Sequence, residues 1–330
     1  MNPFSFMRAA EADEAIHAGS APGAKFLGGG TNLIDLMKDG VEAPTTLVDI
    51  HRLDLVQIEK TSGGGVLIGS IVRNGDLANH PFIRKDYPLL SAALLSGASP
   101  QLRNMATTGG NLMQRTRCYY FMDTAFAECN KRAPGSGCAA IRGYNRIHAI
   151  LGASDQCIAT NPSDMNVALA ALDATIHVKG ARGERSIAIA DFHRLPGNTP
   201  QTDTNLQAGE LITGIELPAP RYAAHSHYLK VRDRNSYAFA LVSVAPALDI
   251  EGTVVRSAAI ALGGVAHKPW RSAKADAVLV GRRPDRERFE QAAELLLAGA
   301  TPYQHNAFKI PLAKRSIVRA LTVAVEGARA

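Results

Sequence analysis

Two short glycine-rich segments, LGGGTNL at 27–33 and ATTGGNL at 106–112, constrain this 330-residue chain more than any other feature. Glycine lets bare backbone approach a ligand, and a helix start just behind it offers unpaired N–H groups and the positive end of the helix dipole. The first segment follows the apolar run KFL and precedes Leu33, Leu36 and Met37 at helical spacing, with Gly40 as a stop. The spacing predicts strand, turn and helix, with an anion cradled at the turn. It fits neither G-x-G-x-x-G with its later acid nor G-x-x-x-x-G-K-[ST], which disfavours a Rossmann site and a P-loop. A tight turn without a ligand is the plain alternative for either segment alone. The second segment repeats the chemistry with two hydroxyls, two glycines and an Asn, so the pair could clamp a pyrophosphate.

Around these loops the pattern alternates. TTLVDI (45–50) and GVLIGSIVR (65–73) read as strands and PLLSAALLSGA (88–98) as a helix. The segment Asn161, Pro162, Ser163 caps a helix through NVALAALDA. The strand candidates ATIHVKG (174–180), RSIAIA (185–190) and ELITGIELP (210–218) follow. PAPR (218–221) reads as a linker, since prolines two apart exclude helix and central strand. Beyond it, strands in SHYLKVRD, YAFALVSVAPALDI and VVRSAAIALGGVA precede helices near 272–281, 285–299 and 311–327, the order of an α+β unit. The length exceeds one compact core, and 46% hydrophobic with 20% charged residues predicts folded structure throughout.

The composition also narrows the function classes. The most apolar run, about 14 residues, falls short of the ~20 that span a bilayer as a helix, so no membrane span is expected. The start, MNPFSFMRAAEADEAIHAG, lacks the charged and apolar regions of a signal peptide, so export of the chain alone by the general route is not expected. The net charge is +6, but Lys and Arg are scattered rather than striped. That pattern fits an anionic cofactor or an acidic partner subunit better than nucleic acid.

The chain's four cysteines, Cys118, Cys129, Cys138 and Cys157, lie within 40 residues, separated by ten, eight and eighteen others. No C-x-x-C occurs, which argues against a structural zinc site. Two disulfides, unconnected thiols and a loop-wrapped [4Fe–4S] cluster all stay open on spacing alone. The nearby cations Arg115, Arg117, Lys131, Arg132 and Arg142 would offset four thiolates. The ten histidines show no metal-ligand spacing, and His177, inside a strand-like run, reads as structural.

LGGGTNLIDLMK, TTGGNL, NPSDM and YLKVRDRNSYAFALVSVA, in this order over nearly the whole chain, resemble the FAD-binding subunit of the molybdenum hydroxylases, the family of xanthine dehydrogenase and carbon monoxide dehydrogenase. The resemblance implies an α+β chain. A PCMH-type FAD-binding domain of two α/β subdomains would occupy 1–220, with an iron–sulfur insert at about 115–158. A carbon monoxide dehydrogenase flavoprotein-like C-terminal α+β domain would occupy 221–330. It implies that Phe26, Leu27, Gly28, Gly29, Gly30, Thr31, Asn32, Leu33 and Ile34 hold the FAD pyrophosphate together with Thr107, Thr108, Gly110 and Asn111. Asp164 would lie near the flavin's ribityl chain or ring and Lys230 beside the isoalloxazine. On the residues alone, Asp164 is a helix-start acid and Lys230 a strand-edge lysine.

QRTRC, CNKR, PGSGCAA, the Cys157-Ile-Ala-Thr before PSDM, and LGGVAHKPWR resemble the bacterial periplasmic aldehyde oxidoreductase branch, whose FAD subunit carries an inserted [4Fe–4S] segment. This implies Cys118, Cys129, Cys138 and Cys157 as cluster ligands. It also implies a heterotrimer, with aldehydes oxidised to carboxylic acids on a large molybdenum-cofactor subunit. A small subunit with two [2Fe–2S] clusters would feed electrons to FAD here, for delivery to an external acceptor. The redox chemistry is the flavin's own, so no nucleophile or acid/base pair is expected from this chain. Two other readings are a xanthine dehydrogenase FAD subunit that reduces NAD and a noncatalytic anion-binding or assembly protein. The resemblance implies a periplasmic location, reached with a partner that bears a twin-arginine signal; the cytoplasm is the alternative.

Overall fold

The apolar runs form three sheets in the computed structural model, which describes residues 1–327. The first is parallel: β1 (Ser5–Arg8), β2 (Ala24–Leu27) and β3 (Thr46–Asp49), in spatial order β1-β3-β2. The helices Ala12–Gly19 and Leu33–Lys38 make the crossovers that parallel strands require. The glycine segment 28–30 leaves the carboxyl end of β2, the side where open α/β sheets take their ligands. β1 and its helix carry little sequence signal, because four strand residues with Met7 alone half-buried show no readable alternation.

The second sheet is antiparallel. It contains β4 (Ile58–Lys60), β5 (Val66–Gly69), β6 (Thr175–Gly180), β7 (Gly183–Ala188) and β8 (Leu211–Leu217), in order β4-β5-β8-β6-β7. The expected alternation of strand and helix in the first third therefore describes the parallel sheet only; β4 and β5 form a hairpin that pairs with β8, far away in sequence. The strand expected to run to 73 ends at Gly69, where Ile71 turns back to donate to the Leu55 carbonyl at 2.9 Å.

The third sheet joins β9 (His225–Ser226), β10 (Leu229–Val231), β11 (Val242–Glu251) and β12 (Val254–Gly263), all antiparallel around β11. Its two long strands alternate with period two between two buried faces. Val242, Val244, Leu248, Ile260 and Leu262 pack toward the helices Ala273–Leu279, Arg286–Leu296 and Lys309–Glu326. Ala245, Ala247, Ala259 and Ala261 belong instead to the core shared with the second sheet. Against this alanine face lies the helix Asp164–Ala171, every residue of which is buried. Small residues on the sheet let the helix approach closely, so one core runs through both units. The 218–221 connection lies on that core, with Tyr87 Oη donating to the Pro218 carbonyl at 2.7 Å and Tyr222 buried. Between the sheets, 115–158 is mostly loop, with four-residue helices at Tyr119–Met122 and Ala139–Arg142.

Candidate functional site

The two glycine loops meet. A methyl group added to Gly29 would lie 1.8 Å from the Met105 carbonyl oxygen, and one added to Gly28 would lie 2.8 Å from Thr107 Oγ1. Gly30 adopts φ +73°, the left-handed conformation that side chains resist. These glycines are therefore fixed by the contact between the loops. Thr107 caps the turn Thr108–Leu112, its Oγ1 accepting from Gly110 N at 3.2 Å. Thr108 turns its hydroxyl inward to the Val72 carbonyl at 2.8 Å, so it braces the loop rather than facing open space. The Phe26 ring packs over Gly19, and Ile34 packs under Gly30, both away from the loop crest.

The joined loops stand between two cavities. Leu27, Gly28, Gly29 and Thr107 border one of about 600 Å³ at the end of the parallel sheet. There Asp49 accepts from Arg8 at 2.9 Å and from His51. Burial raises its pKa, but these bonds outweigh burial and hold the carboxyl below its ordinary range. Thr31, Asn32, Gly110 and Asn111 border the other, a cleft of about 690 Å³ that also takes in Ser163, Asp164 and Lys230. Both volumes lie in the range of cofactor sites.

In the larger cleft the structure brings four sequence motifs into contact. Ser163 caps the helix Asp164–Ala171 and donates to Asn111 Oδ1 at 2.7 Å, tying NPSDM to TTGGNL. Lys230 Nζ donates to Asp164 Oδ2 at 2.7 Å and to the Ser96 carbonyl at 3.1 Å, so Asp164 and Lys230 form a buried ion pair. Tyr228, which sequence reading did not single out, donates to Asp164 Oδ1 at 2.6 Å. Burial and the carboxylate push its pKa far up. Period two along β10 was the available signal, since Tyr228 and Lys230 lie two apart.

Three polar atoms on cleft residues are buried without partners: Asn32 Nδ2, Asn74 Oδ1 and Arg117 Nε. Arg115 N donates to Asn32 Oδ1 at 3.0 Å, which fixes the amide with its NH2 free. Buried polar groups are ordinarily satisfied, so two donors and an acceptor left open here fit a polar, anionic ligand. Of the three non-glycine residues with positive φ among the described residues, Ala98 and Tyr237 also border the cleft, a form of strain that collects at binding sites.

The four thiols gather in one packed cluster, the thiol pocket, with Leu36, Phe121, Ile158 and Ala159; Cys118, Cys129 and Cys157 are buried and Cys138 is half-buried. Cys129 and Cys138 face each other across a β-bridge. Asn130 Oδ1 takes N–H bonds from Gly135 and Gly137, and its Nδ2 reaches the Gln156 carbonyl at 3.0 Å, next to Cys157. Interaction with the Cys157 thiol lowers the Cys138 pKa, whereas the same interaction and burial raise that of Cys157. Burial pushes Cys118 up to about 12. Two histidines that spacing could not reveal also enter: His148 Nε2 lies 3.0 Å from Cys118 Sγ and His267 Nε2 lies 3.3 Å from Cys157 Sγ.

Among the described residues, no three His, Cys, Asp or Glu side chains are arranged to hold a metal ion, so the cluster expected at the cysteines is not shown. One expectation needs correction: the five cations do not all serve the thiols. Arg115 pairs with Glu42 and Asp203, Arg132 wraps the carbonyls of Tyr120, Phe121, Asp123 and Phe126, and Arg142 is exposed beside Glu128. Lys131, buried and paired with Asp203, is the one whose charge acts on Cys157. His177 sits on the open face of the second sheet between Glu216 at 2.9 Å and Ser186 at 3.0 Å, a structural role.

The pocket and the cleft share a wall. Arg117 and Tyr119, on either side of Cys118, border the cleft. So do Ile147, next to His148, and Gly264, in the segment that carries His267. Among the described residues no helix is long and apolar enough to cross a membrane.

Comparison with known proteins agrees with this layout. Residues 2–220 match the FAD binding domain in molybdopterin dehydrogenase, and residues 227–324 match the CO dehydrogenase flavoprotein C-terminal domain. The aldehyde oxidoreductase FAD-binding subunit PaoB of Escherichia coli is 52% identical over 98% of this chain and 99% of its own length. The glyceraldehyde dehydrogenase medium chain of Sulfolobus acidocaldarius is 28% identical over 91% of this chain and 89% of its own. Among solved structures, reconstituted CO dehydrogenase from Oligotropha carboxidovorans superposes with a TM-score of 0.78 at 25% identity, over 99% of this chain and 100% of that one. The chain is thus an oxidoreductase subunit, and it belongs to the FAD-binding subunits of the molybdenum hydroxylase family.

Proposed function

We propose that this chain is the electron-transfer subunit of a molybdenum-dependent aldehyde oxidoreductase, carrying FAD in the two-cavity corridor and a [4Fe–4S] cluster in the thiol pocket. The observation that carries the reading is the shared wall between pocket and cleft, because redox groups exchange electrons only when closely placed. The 52% identity to PaoB over almost the full length of both chains supports the aldehyde assignment.

FAD supplies exchange of one or two electrons when bound, and the protein supplies position and electrostatics. Gly28 to Gly30, with Gly110 and Asn111, would hold the pyrophosphate at the junction of the two cavities. The Asn32 amide and the Arg117 guanidinium offer free donors toward the larger cleft. Lys230, anchored by Asp164, places a cation there that favours added negative charge. Cys118, Cys129, Cys138 and Cys157 would hold the cluster, which supplies a one-electron store. The dry pocket raises Cys118 and Cys157, and binding iron releases those protons.

The proposal includes a large molybdenum subunit, a small subunit with two [2Fe–2S] clusters, an external acceptor and a periplasmic location. Steady-state assays of the assembled complex test it. An aldehyde should be oxidised with an artificial acceptor, whereas xanthine oxidation coupled to NAD reduction would overturn the assignment in favour of the xanthine dehydrogenase reading.

A further inference from the structure

His148 and His267 enter the thiol pocket from segments far apart in sequence, yet they are built alike. Both are buried and both aim Nε2 at a sulfur, Cys118 at 3.0 Å and Cys157 at 3.3 Å; the His267 Nδ1 has no partner, while the His148 ring also interacts with the Asn145 carbonyl. A ligating thiolate can only accept, so once the cysteines hold metal the bond has one direction: imidazole N–H donates to Sγ.

The backbones of both segments are pinned together. Lys309, fully buried in the last helix, donates from Nζ to the carbonyls of His148, at 2.8 Å, and of Gly264. Ile150 N and Leu151 N both donate to the Val265 carbonyl, at 2.9 and 3.1 Å, and Asn161 N reaches the Ala266 carbonyl at 2.9 Å. A fully buried lysine is seldom retained without a task, and this one fixes the two strips of chain that bear the histidines.

We propose that His148 and His267 donate hydrogen bonds to the cluster ligands Cys118 and Cys157 and thereby raise the cluster's reduction potential, with Lys309 as the positioning residue. The inference rests on the [4Fe–4S] reading above. Reduction adds one electron and no proton, so the extra negative charge spreads onto the sulfurs. An N–H aimed at them stabilises that charge more than it stabilises the oxidised form. Because Ile147 and Gly264 border the flavin cleft, the same two segments couple the setting of the cluster to the flavin wall.

The test is an anaerobic redox titration of the purified heterotrimer, followed by electron paramagnetic resonance, in wild type, His267→Leu and His267→Gln. Leu should move the cluster midpoint to lower potential. Gln, which keeps an N–H donor, should recover part of the shift, with iron and flavin contents unchanged. A Leu variant with full iron and the wild-type midpoint would overturn the inference. Should that variant lose iron, the wild-type complex labelled with nitrogen-15 histidine decides. Pulsed resonance of the reduced cluster should show coupling to imidazole nitrogen, and its absence overturns the inference. A wild-type complex without iron beyond that of its small subunit contradicts the cluster reading itself, a failure distinct from an unchanged midpoint.

Discussion

The flavin cleft and the thiol pocket adjoin, yet they reach their order by different means. The cleft is self-supporting. Its loops are braced by the Gly29–Met105 contact, by the Thr107 and Ser163 caps and by the Asp164–Lys230–Tyr228 group, all of them contacts within the chain. The pocket instead buries thiols in a loop-rich insert whose regular structure amounts to two four-residue helices. Burial there raises the pKa of Cys118 and Cys157, so four thiolates would be costly without a counter-charge. On the proposed cluster reading, the contrast is between a cleft built by the chain's own contacts and a pocket that would gain much of its stability from what joins the sulfurs.

The largest expected effect is on the pocket. Cys129→Ser should remove the cluster iron and loosen residues 115–158 to proteolysis while flavin stays bound, because no cysteine borders the cleft; simultaneous loss of flavin would break the distinction. Next comes Asp164→Ala, which strands a buried lysine. Denaturant unfolding should show a loss of about 3–5 kcal/mol, with flavin released. A double change to Asp164→Leu and Lys230→Met should restore part of that stability and leave flavin binding impaired, which separates support from recognition.

Acid gives a third handle. His193 is fully buried between the Leu112 carbonyl and Asn166, and burial lowers it from 6.5 to about 4. Its folded pKa lies below its unfolded one, so the unfolded chain binds more protons in that interval. Stability should fall as pH drops from 6.5 toward 4, by at most about 3 kcal/mol at about 1.4 kcal/mol per pH unit. The gap between unfolding curves at pH 7 and pH 5 should narrow in His193→Gln, with His148 and His267, also held low by burial, keeping part of it. Gly29→Ala, forced against the Met105 carbonyl, should cost about 1–3 kcal/mol and weaken flavin retention. Smallest is Ser163→Ala, which loses a helix cap and its tie to Asn111, about 1 kcal/mol by thermal unfolding.

The same contrast explains what the sequence revealed. The cleft was legible because its parts are contiguous motifs: glycines beside a helix start, Ser163 before Asp164, and Lys230 in a strand. Their meeting was not, since Asp164 and Lys230 are 66 residues apart and only the pairing of β10 with β11, on which the buried helix packs, brings them together. In the pocket, the cysteines were visible but their setting was not. His148 and His267 lie 30 and 110 residues from the sulfurs they face, and no local periodicity marks such a pair. The cations near the cysteines misled for a related reason. Proximity in sequence suggested charge compensation, whereas Arg115 and Arg132 were already committed to carboxylates and carbonyls. Strands buried on both faces, β11 and β12, were read correctly as strands, but the division of their faces between alanine and larger residues acquires meaning only beside the helix Asp164–Ala171.

The central claim is that one chain holds a flavin and an iron–sulfur cluster at adjoining but independent sites. Counting flavin and iron in the assembled complex, prepared anaerobically as wild type and as a Cys118→Ser, Cys129→Ser double variant, tests it most directly. The account predicts one FAD per chain in both and about four fewer iron atoms per complex in the variant. Equal iron in the two preparations would contradict it.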